Sequence, residues 1–440
     1  MKQSRLFVLS LLSLLWLTLA SAQDPVTITH WTDPALATPP HHPEFTSLAE
    51  YEKAQAEKFM EMHPHVTIEI QGLDWPDLAV KVPAALAAGN PPDILKDYLG
   101  RTSGYGHAGV TVDINSLIPA EEIADIQPGL IDLYTIDGTL HAMPTYFWAQ
   151  EMLVNKALFD NAGLGDLVPA DDRDWTQAEF IDALKQLKAA DPSVEYPFSL
   201  QVASEQGDYD FHQFLWGAGG DIWQDDCSAT AFDGEATLAG LEFVNQLYQD
   251  GLINPDATTA SYQDKMNYFY TGKSAVTGGG LGTLNVLVAN ALADGTVTTD
   301  MDVVMVTYPH AEGVVNGYPV GPSGFVVFDN GRSDYEMEWI AEYLLFLNSA
   351  EAQADYAMGN SQFPARVSAG APMADDPNYI KTLELIGERG TENMGLSCLG
   401  FGEVRVAQPP VWQAMFLGQV DPAEAAEQLQ EETADIISNQ

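Results

Sequence analysis

The residues of this sequence with the clearest chemical potential are aromatic side chains that stand beside carboxylates near the ends of predicted strands. Asp97 and Tyr98 close one predicted strand, and Asp208 and Tyr209 form a second such pair. Aromatic faces pack against the apolar C–H faces of sugar rings, while carboxylates accept hydrogen bonds from paired hydroxyls. The pattern therefore indicates a site for a small polyhydroxylated ligand. Further members of this set are Trp31, Asp33, Trp75, Tyr146 and Trp148.

The stretch Tyr146-Phe147-Trp148 places three rings between two short apolar runs, where a water-exposed connection would be polar. Clefts of α/β proteins open at strand ends, so ligand contact is favoured over core packing for Tyr146, Trp148 and Trp31. Side chains alternate along an extended segment. We therefore expect Tyr146 and Trp148 to face a ligand together, and Phe147 to turn away.

Motifs for nucleotide binding, catalysis or metal binding are incomplete. Gly272-Lys273-Ser274 lacks the glycine that a phosphate-binding loop needs five positions before its Gly-Lys, because Asn267 stands there. Ser323 in "GPSGF" does not have the spacing of a nucleophile elbow. The histidines at 41–42 and 63–65 lack the further ligands that a metal site requires. We expect no catalytic residue, no metal and no cofactor, although carboxylates for glycoside cleavage cannot be singled out among 63 acids.

Strand and helix signals alternate along the chain, which favours an α/β fold with parallel-rich sheets flanked by helices. A length of 440 residues predicts at least two lobes. Strands are predicted near 26–31, 66–73, 91–98, 302–309 and 324–328. Helices are predicted near 45–62, 176–189, 234–250, 281–294, 334–348, 350–358, 377–389 and 421–437.

The charge balance and the N-terminus restrict the partners and the compartment. The chain has 63 acidic and 18 basic residues, a formal charge of −45, which excludes nucleic acid as a partner. Residues 1–22 have a basic start, an apolar run too short to span a bilayer and the small residues Ala20-Ser21-Ala22. They predict a cleaved signal peptide, and no cysteine follows for a lipid anchor. We expect a periplasmic or secreted protein.

Cys227 and Cys398 are the two cysteines of the chain. In an oxidising compartment such a pair favours a disulfide, and two buried free thiols are the alternative.

Several segments, taken in order, resemble the extracellular solute-binding proteins of ABC importers, the branch that includes maltose-, other sugar- and glycerol-3-phosphate-binding proteins. They are "VTITHWTDP", "AEKFMEMHPHVTIEI", "AALAAGNPPDIL", the 138–164 stretch, "WTQAEFIDALKQLKAAD", "LWGAGGDIWQDD", "FYTGKSAV" and "QFPARVSA". The resemblance implies a two-lobed periplasmic-binding-protein fold (type II-like) with a ligand cleft between the lobes.

The resemblance also implies three interlobe crossings, near 146–151, 305–310 and 344–350. The N-terminal lobe would comprise 23–146 plus 309–345, and the C-terminal lobe 149–305 plus 350–440. Both cysteines then lie in the C-terminal lobe, so a disulfide between them would not tie the lobes together.

The site implied by the resemblance combines the aromatic and acidic set above, except Trp75, with four further positions. Gly279 and Gly280 stand where the family often has a tryptophan, which implies a more open or more polar wall. Arg366 follows the "FP" of a later family motif, and Arg405 stands in the final irregular segment, where the family frequently places a ligand contact. Each could form bidentate bonds with a hydroxyl pair, a carboxylate or a phosphate, and a salt bridge to one of the many acids is the alternative.

These expectations combine into a function. The chain would capture a carbohydrate, from a monosaccharide to a trisaccharide or a sugar alcohol, by hinge closure and deliver it to the membrane permease of an ABC importer. It would act as a monomer and would not be an enzyme. A receptor for glycerol phosphate or another small solute, and an exported carbohydrate-active enzyme, are the alternatives.

Overall fold

The structure is a computed structural model that describes residues 23–33, 42, 44–392 and 394–440. The predicted signal peptide, residues 1–22, lies outside the described residues. The strands are β1 Val26–Thr32, β2 Val66–Gly72, β3 Ile94–Tyr98, β4 Thr135–Ile136, β5 Thr139–Leu140, β6 Met143–Ala149, β7 Glu151–Asn155, β8 Phe198–Ser199, β9 Val276–Gly279, β10 Val303–Val306, β11 Tyr318–Val327, β12 Phe363–Pro364 and β13 Thr391–Glu392.

Helices cover the faces of the sheets. They are α1 Leu48–Met62, α2 Trp75–Ala87, α3 Leu99–His107, α4 Ile114–Leu117, α5 Ala120–Ala124, α6 Pro128–Leu133, α7 Lys156–Asn161, α8 Gln177–Ala190, α9 Asp208–Gly217, α10 Glu235–Gln249, α11 Tyr262–Tyr270, α12 Ala289–Ala293, α13 Asp334–Leu347, α14 Ala350–Asn360, α15 Pro377–Arg389, α16 Phe401–Phe416 and α17 Pro422–Ser438. No helix in the described part of the chain is both long and apolar enough to cross a membrane.

The larger sheet has the strand order β12-β6-β11-β3-β1-β2, with β13 paired to β11. The pairs β1–β2 and β1–β3 are parallel, as β-α-β connections require. Strand β11 runs antiparallel to β3 and to β6, and β6 runs antiparallel to β12, whereas β13 pairs with β11 in parallel. The sheet is therefore mixed rather than parallel-rich, because β6 and β11 are the strands that connect the two lobes.

The smaller sheet has the order β10-β7-β9-β8 and forms the core of the second lobe. Gln150 alone separates β6 of the larger sheet from β7 of the smaller one. The chain returns between β10 and β11, through residues 307–317. These two connections correspond to the crossings predicted near 146–151 and 305–310, and the two-lobed α/β fold is confirmed.

The third connection comes later than the resemblance implied. Helix α14 packs on β6, and β12 is an edge strand of the larger sheet through its pairing with β6. Residues 350–364 therefore lie with the first lobe, although they were expected after the third crossing. The physical reason is that Phe363 stacks on Phe147, at 5.2 Å between ring centroids, which holds this segment against the larger sheet.

Several helix starts follow from local capping. Thr176 with Glu179, Ser333 with Glu336, and Asp421 with Glu424 form capping boxes that start α8, α13 and α17. Helix α16 differs from the sequence interpretation, which placed Arg405 in an irregular segment. Two prolines at 409 and 410 disfavour a helix, but the burial of side chains such as Trp412 outweighs that cost.

Cys227 and Cys398 form a disulfide that joins the loop before α10 to the loop before α16. The loop around Cys398 also contacts α3 of the first lobe. Ser103 Oγ donates to the carbonyl oxygen of Leu396 at 2.7 Å, and His107 Nε2 lies 2.8 Å from that of Ser397. The disulfide thus anchors, in the second lobe, a loop that hydrogen-bonds to the first.

Candidate ligand-binding cleft

A cavity of about 510 Å³ opens between the two lobes, at the carboxyl end of β3 and beside the crossing strand β6. Both lobes contribute to its walls. Its lining consists of Trp75, Tyr98, Arg101, Tyr146, Trp148, Gln150, Glu205, Gln206, Tyr209, Asp210, Tyr262, Lys265, Gly278, Gly279, Thr283, Ser323, Asn360, Gln362 and Arg405.

Strand β6 supplies two of the rings. Tyr146 and Trp148 line the cavity, whereas Phe147 packs on Phe363 on the opposite face of the strand. Trp148 meets Tyr209 of the second lobe edge-on, with ring centroids 4.9 Å apart. Its indole also covers Gly321 of β11, where a Cβ would lie 2.0 Å from the ring atoms. The position of Trp148 therefore depends on a glycine in the other crossing strand.

The wall from the first lobe is built on Arg101. Its Nε donates to Asp97 Oδ2 and its Nη2 to Asp97 Oδ1, both at 2.7 Å. The guanidinium lies over the rings of Tyr98, at 4.7 Å, and Trp75, at 5.1 Å. Burial raises the pKa of Asp97 to about 6, although Arg101 acts in the opposite direction. Asp97 is thus ionised at pH 7.5 and holds the arginine flat against the two rings.

The wall from the second lobe repeats this arrangement around Arg405. Its Nε donates to Asp208 Oδ2 at 2.5 Å and its Nη2 to Asp208 Oδ1 at 2.8 Å. The guanidinium lies 4.9 Å from the ring centroid of Tyr209 and 5.5 Å from that of Phe401. Each lobe therefore presents an arginine that is clamped by an aspartate and stacked on aromatic rings.

Asp210 organises the floor of the cavity. Its Oδ1 accepts hydrogen bonds from Gln150 Nε2 and Tyr308 OH, both at 2.7 Å, and its Oδ2 accepts one from Lys265 Nζ at 2.6 Å. A Cβ at Gly278 would lie 1.8 Å from this carboxylate. Asp210 thus joins the first crossing, the segment of the second crossing and helix α11.

A buried ionic cluster lies behind Tyr146. Lys96 Nζ is 3.0 Å from Asp33 Oδ1 and 2.6 Å from Glu52 Oε1, and all three side chains are buried. Lys96 also lies 5.9 Å from the ring centroid of Tyr146. Burial raises the pKa of Asp33, and Lys96 opposes the shift. The cluster supports the cavity wall from inside the first lobe.

Seven of the positions predicted from the sequence lie in the lining: Trp75, Tyr98, Tyr146, Trp148, Tyr209, Gly279 and Arg405. Four others lie outside it but next to it. Asp97 and Asp208 face the two arginines, Asp33 belongs to the Lys96 cluster, and Gly280 packs against Ala149, whose carbonyl oxygen would be 2.3 Å from a Cβ.

Trp31 and Arg366 lie elsewhere. Trp31 lines a separate cavity of about 500 Å³ with Asn330 and Arg332, because strand alternation turns it to the face opposite His30. Arg366 donates to the carbonyl oxygen of Asn348 and pairs with Glu122 at 2.6 Å and Asp125 at 3.0 Å. For Arg366 the structure shows the salt bridge that the sequence left as the alternative.

Several polar residues of the cavity were not predicted from the sequence, among them Arg101, Gln150, Asp210 and Lys265. Arg101 had a usable signal, since it follows Asp97 by four positions at the start of a helix. Gln150 and Lys265 had none: the lysine lies on an aromatic-rich helix and reaches the cavity only through the packing of α11 on β9.

Among the described residues, no group of three or more His, Cys, Asp or Glu side chains is placed to hold a metal ion.

Two α/β lobes, linked by strands that pass from one sheet to the other and separated by a ring-lined cavity, define the class of two-lobed binding proteins. The sequence model of the bacterial extracellular solute-binding protein family matches residues 42–354, well over half of the chain. This chain therefore belongs to that family.

The individual relatives are distant. A binding protein of Brucella abortus (strain 2308) is 22% identical over 366 residues, which cover 78% of this chain and 83% of the relative. The sn-glycerol-3-phosphate-binding periplasmic protein UgpB of Rhizobium meliloti (strain 1021) is 22% identical over 364 residues, 77% of this chain and 79% of UgpB. The crystal structure of a cyclic alpha-maltosyl-1,6-maltose binding protein from Arthrobacter globiformis shares the fold with a TM-score of 0.76 and 19% identity, over 94% of this chain and 100% of that one.

Proposed function

We propose that this protein binds a carbohydrate, from a monosaccharide to a trisaccharide or a sugar alcohol, in the cavity between its lobes. The observation that carries the proposal is the pair of stacked arginine–tyrosine walls, Arg101 on Tyr98 and Arg405 on Tyr209, which line one cavity from opposite lobes. Rings and guanidinium planes present flat faces to the C–H side of a sugar, and Gln150 and Gln362 add hydrogen-bonding groups at its edge. The cyclic maltosyl-maltose binding protein named above supports a ligand of this class.

Capture proceeds by closure of the lobes in this proposal. Gln150 and residues 307–317 are the short connections about which the lobes rotate, and closure removes water from the rings. The lobe boundaries are part of the proposal: the first lobe comprises residues 23–149 plus about 318–364, and the second 151–306 plus the chain after α15. Small-angle scattering of the apo and ligand-saturated protein tests the motion, because closure reduces the radius of gyration.

The biological role in this proposal is delivery of the sugar to the membrane permease of an ABC importer. The protein acts outside the cytoplasm as a monomer, after removal of residues 1–22. Mass determination of the exported protein would reveal the cleavage. Light scattering would give the oligomeric state, and sugar uptake by a deletion strain would show whether transport depends on this chain.

The decisive experiment is a binding screen. The purified mature chain would be examined by thermal shift against neutral sugars, polyols and sugar phosphates, and isothermal titration calorimetry would follow for each ligand that raises Tm. A neutral sugar that stabilises the protein at millimolar concentration or below supports the proposal. No shift with any sugar of a broad panel contradicts it.

Two other functions remain distinguishable by the same protein sample. A glycerol phosphate receptor is favoured by the similarity to UgpB, and the phosphate ligands of the screen test it directly. An exported carbohydrate-active enzyme would release products from a glycan, so chromatography of maltotriose after prolonged incubation decides that question. We propose that no turnover occurs.

A further inference from the structure

The two arginines of the cavity already use the guanidinium groups with which an arginine would bind an anion in a bidentate manner. Arg101 uses Nε and Nη2 on the carboxylate of Asp97, and Arg405 uses the same two groups on Asp208. Recognition of a phosphate or carboxylate by arginine normally uses this two-pronged edge of the guanidinium. In each lobe that edge is already occupied by a buried aspartate.

The third cation of the lining is paired as well. Lys265 Nζ lies 2.6 Å from Asp210 Oδ2 and also donates to the carbonyl oxygen of Gly278 at 3.1 Å. Within the described lining, the cations Arg101, Lys265 and Arg405 thus each have a carboxylate partner. Glu205 lines the cavity in addition, so the local balance is four carboxylates against three cations. An anionic ligand would meet a net negative field.

The burial of the clamping aspartates makes the arrangement fixed. Asp97 and Asp208 are buried, and neither lines the cavity. They act on a ligand only through the arginines that they hold against Tyr98 and Tyr209. Their role is therefore distinct from that of a carboxylate that accepts hydrogen bonds from sugar hydroxyls.

We propose that Asp97 and Asp208 are positioning residues that give the cleft its selectivity for uncharged ligands over phosphorylated or carboxylated ones. Each aspartate occupies the two-pronged edge of an arginine and cancels its charge. The remaining face and donor of the guanidinium serve a neutral ring with hydroxyl groups. This inference rests on the proposed function and specifies the ligand class of the same site.

The test compares one neutral and two anionic probes by calorimetry at low ionic strength. The probes are maltotriose, maltobionate and sn-glycerol 3-phosphate, and the proteins are the wild-type mature chain, Asp97→Asn and Asp208→Asn. We expect the wild type to bind maltotriose and to bind the anions at least about 100-fold more weakly. In each Asn variant we expect the ratio of anion to neutral affinity to rise about tenfold, because an arginine edge becomes available.

Two further variants make the outcome specific. Asp208→Asn combined with Arg405→Gln should lose the gain in anion binding, since the released guanidinium is absent. Asp125→Asn is the matched control, because Asp125 pairs with Arg366 outside the cavity, and its affinity ratio should equal that of the wild type. Circular dichroism establishes that each variant is folded; if Asp208→Asn is not, Asp97→Asn carries the test, since Arg101 is 21% exposed and less dependent on its partner.

Two results would overturn this inference without contradicting the proposed function. They are a wild type that binds maltotriose and an anion equally well, and an unchanged affinity ratio in the folded Asn variants. A wild type that binds an anion while ignoring every neutral sugar of the earlier screen contradicts the carbohydrate assignment as well. The two failures are therefore distinguishable.

Discussion

The side-chain amide of Gln150, the single residue between the two sheets at the first crossing, donates a hydrogen bond of 2.7 Å to Oδ1 of Asp210 in the second lobe. Tyr308, in the second crossing, donates to the same oxygen at 2.7 Å. One carboxylate thereby connects both crossings to the floor of the cavity. Any rotation of the lobes about these segments must keep or exchange these hydrogen bonds.

Asp210→Asn should destabilise the protein and weaken ligand binding together. The substitution leaves the buried Lys265 without its counter-charge, which costs about 3 kcal/mol in comparable pairs. Urea unfolding followed by circular dichroism measures this free energy. Asp160→Asn is the control, since it removes a solvent-exposed pair with Lys156 and should leave the urea midpoint unchanged. Equal midpoints for the two variants would show that Asp210 does not organise the floor.

Trp148→Ala should reduce the affinity for sugar by about tenfold or more, because the indole lines the cavity and its loss removes a stacking surface. The comparison is Phe147→Leu, on the opposite face of the same strand, which should lower stability slightly and leave affinity unchanged. Calorimetric titration with the best ligand of the screen provides both values. Normal binding by Trp148→Ala would rule out the contact.

Gly321→Ala should weaken ligand binding as Trp148→Ala does, although it adds only a methyl group. The new Cβ would lie 2.0 Å from the indole, so the ring must leave its position or the strands must separate. We expect a loss of about 1–3 kcal/mol in unfolding free energy and a weaker ligand affinity. Gly387→Ala, in α15 with open space around it, should instead raise stability by about 0.5–1 kcal/mol. A neutral Gly321→Ala would mean that the indole can move freely.

Removal of the disulfide should lower stability without abolishing binding. The bond closes a loop between cysteines 171 positions apart, and the chain-entropy model gives up to about 5 kcal/mol for a loop of that length. The urea midpoints of the oxidised wild type, the reduced wild type and the Cys227→Ser/Cys398→Ser variant measure the effect. The last two should agree with each other and lie below the first. A reduced protein as stable as the oxidised one would contradict the expectation.

The pH dependence of the unfolding free energy should reflect the titration of Asp97. Burial raises its pKa to about 6 in the folded protein, above the value in an unfolded chain. The folded state therefore binds this proton more tightly, and the resulting stabilisation is complete below about pH 4 and lost as the pH rises through about 6. Arg101 and Asp33 act electrostatically on the carboxyl group of Asp97. Because both residues are present in the wild type and in Asp97→Asn, the titration of Asp33 is common to the two proteins.

The measurement is the difference in unfolding free energy between the wild type and Asp97→Asn at pH 4, 5, 6 and 7. We expect the unfolding free energy of the wild type, relative to that of Asp97→Asn, to fall by on the order of 2 kcal/mol as the pH rises over this range. A difference that moves the other way would place the folded pKa below that of an unfolded aspartate.

The sequence predicted the architecture and part of the site for a definable reason. Alternation of strands and helices, and the motifs in family order, fix which strands end at the cleft, so Tyr98, Tyr146 and Trp148 could be named. Strand alternation also separated Phe147 from its neighbours. The same reasoning could not fix which face of β1 is turned toward the cleft, and Trp31 lies in another cavity for that reason.

The roles of the charged residues were harder to predict from the sequence. Asp97 and Asp208 were named as ligand contacts, but their carboxylates are directed to arginines that come from other turns or other segments. Asp210, Lys265 and Gln150 converge from three distant parts of the chain, which no local pattern records. Pairing of charges in a folded protein depends on packing, and an excess of acids in the sequence offers each base many partners.

The ring lining of the cavity has a practical consequence. Trp75 and Trp148 are the tryptophans of the described lining, with Trp75 40% exposed, while Trp175, Trp216, Trp223 and Trp412 are buried. Entry of a sugar would change the polarity and quenching around these two indoles and leave the buried ones as a constant background. The protein thus contains its own optical probe, and its emission spectrum can follow ligand occupancy in real time without any label.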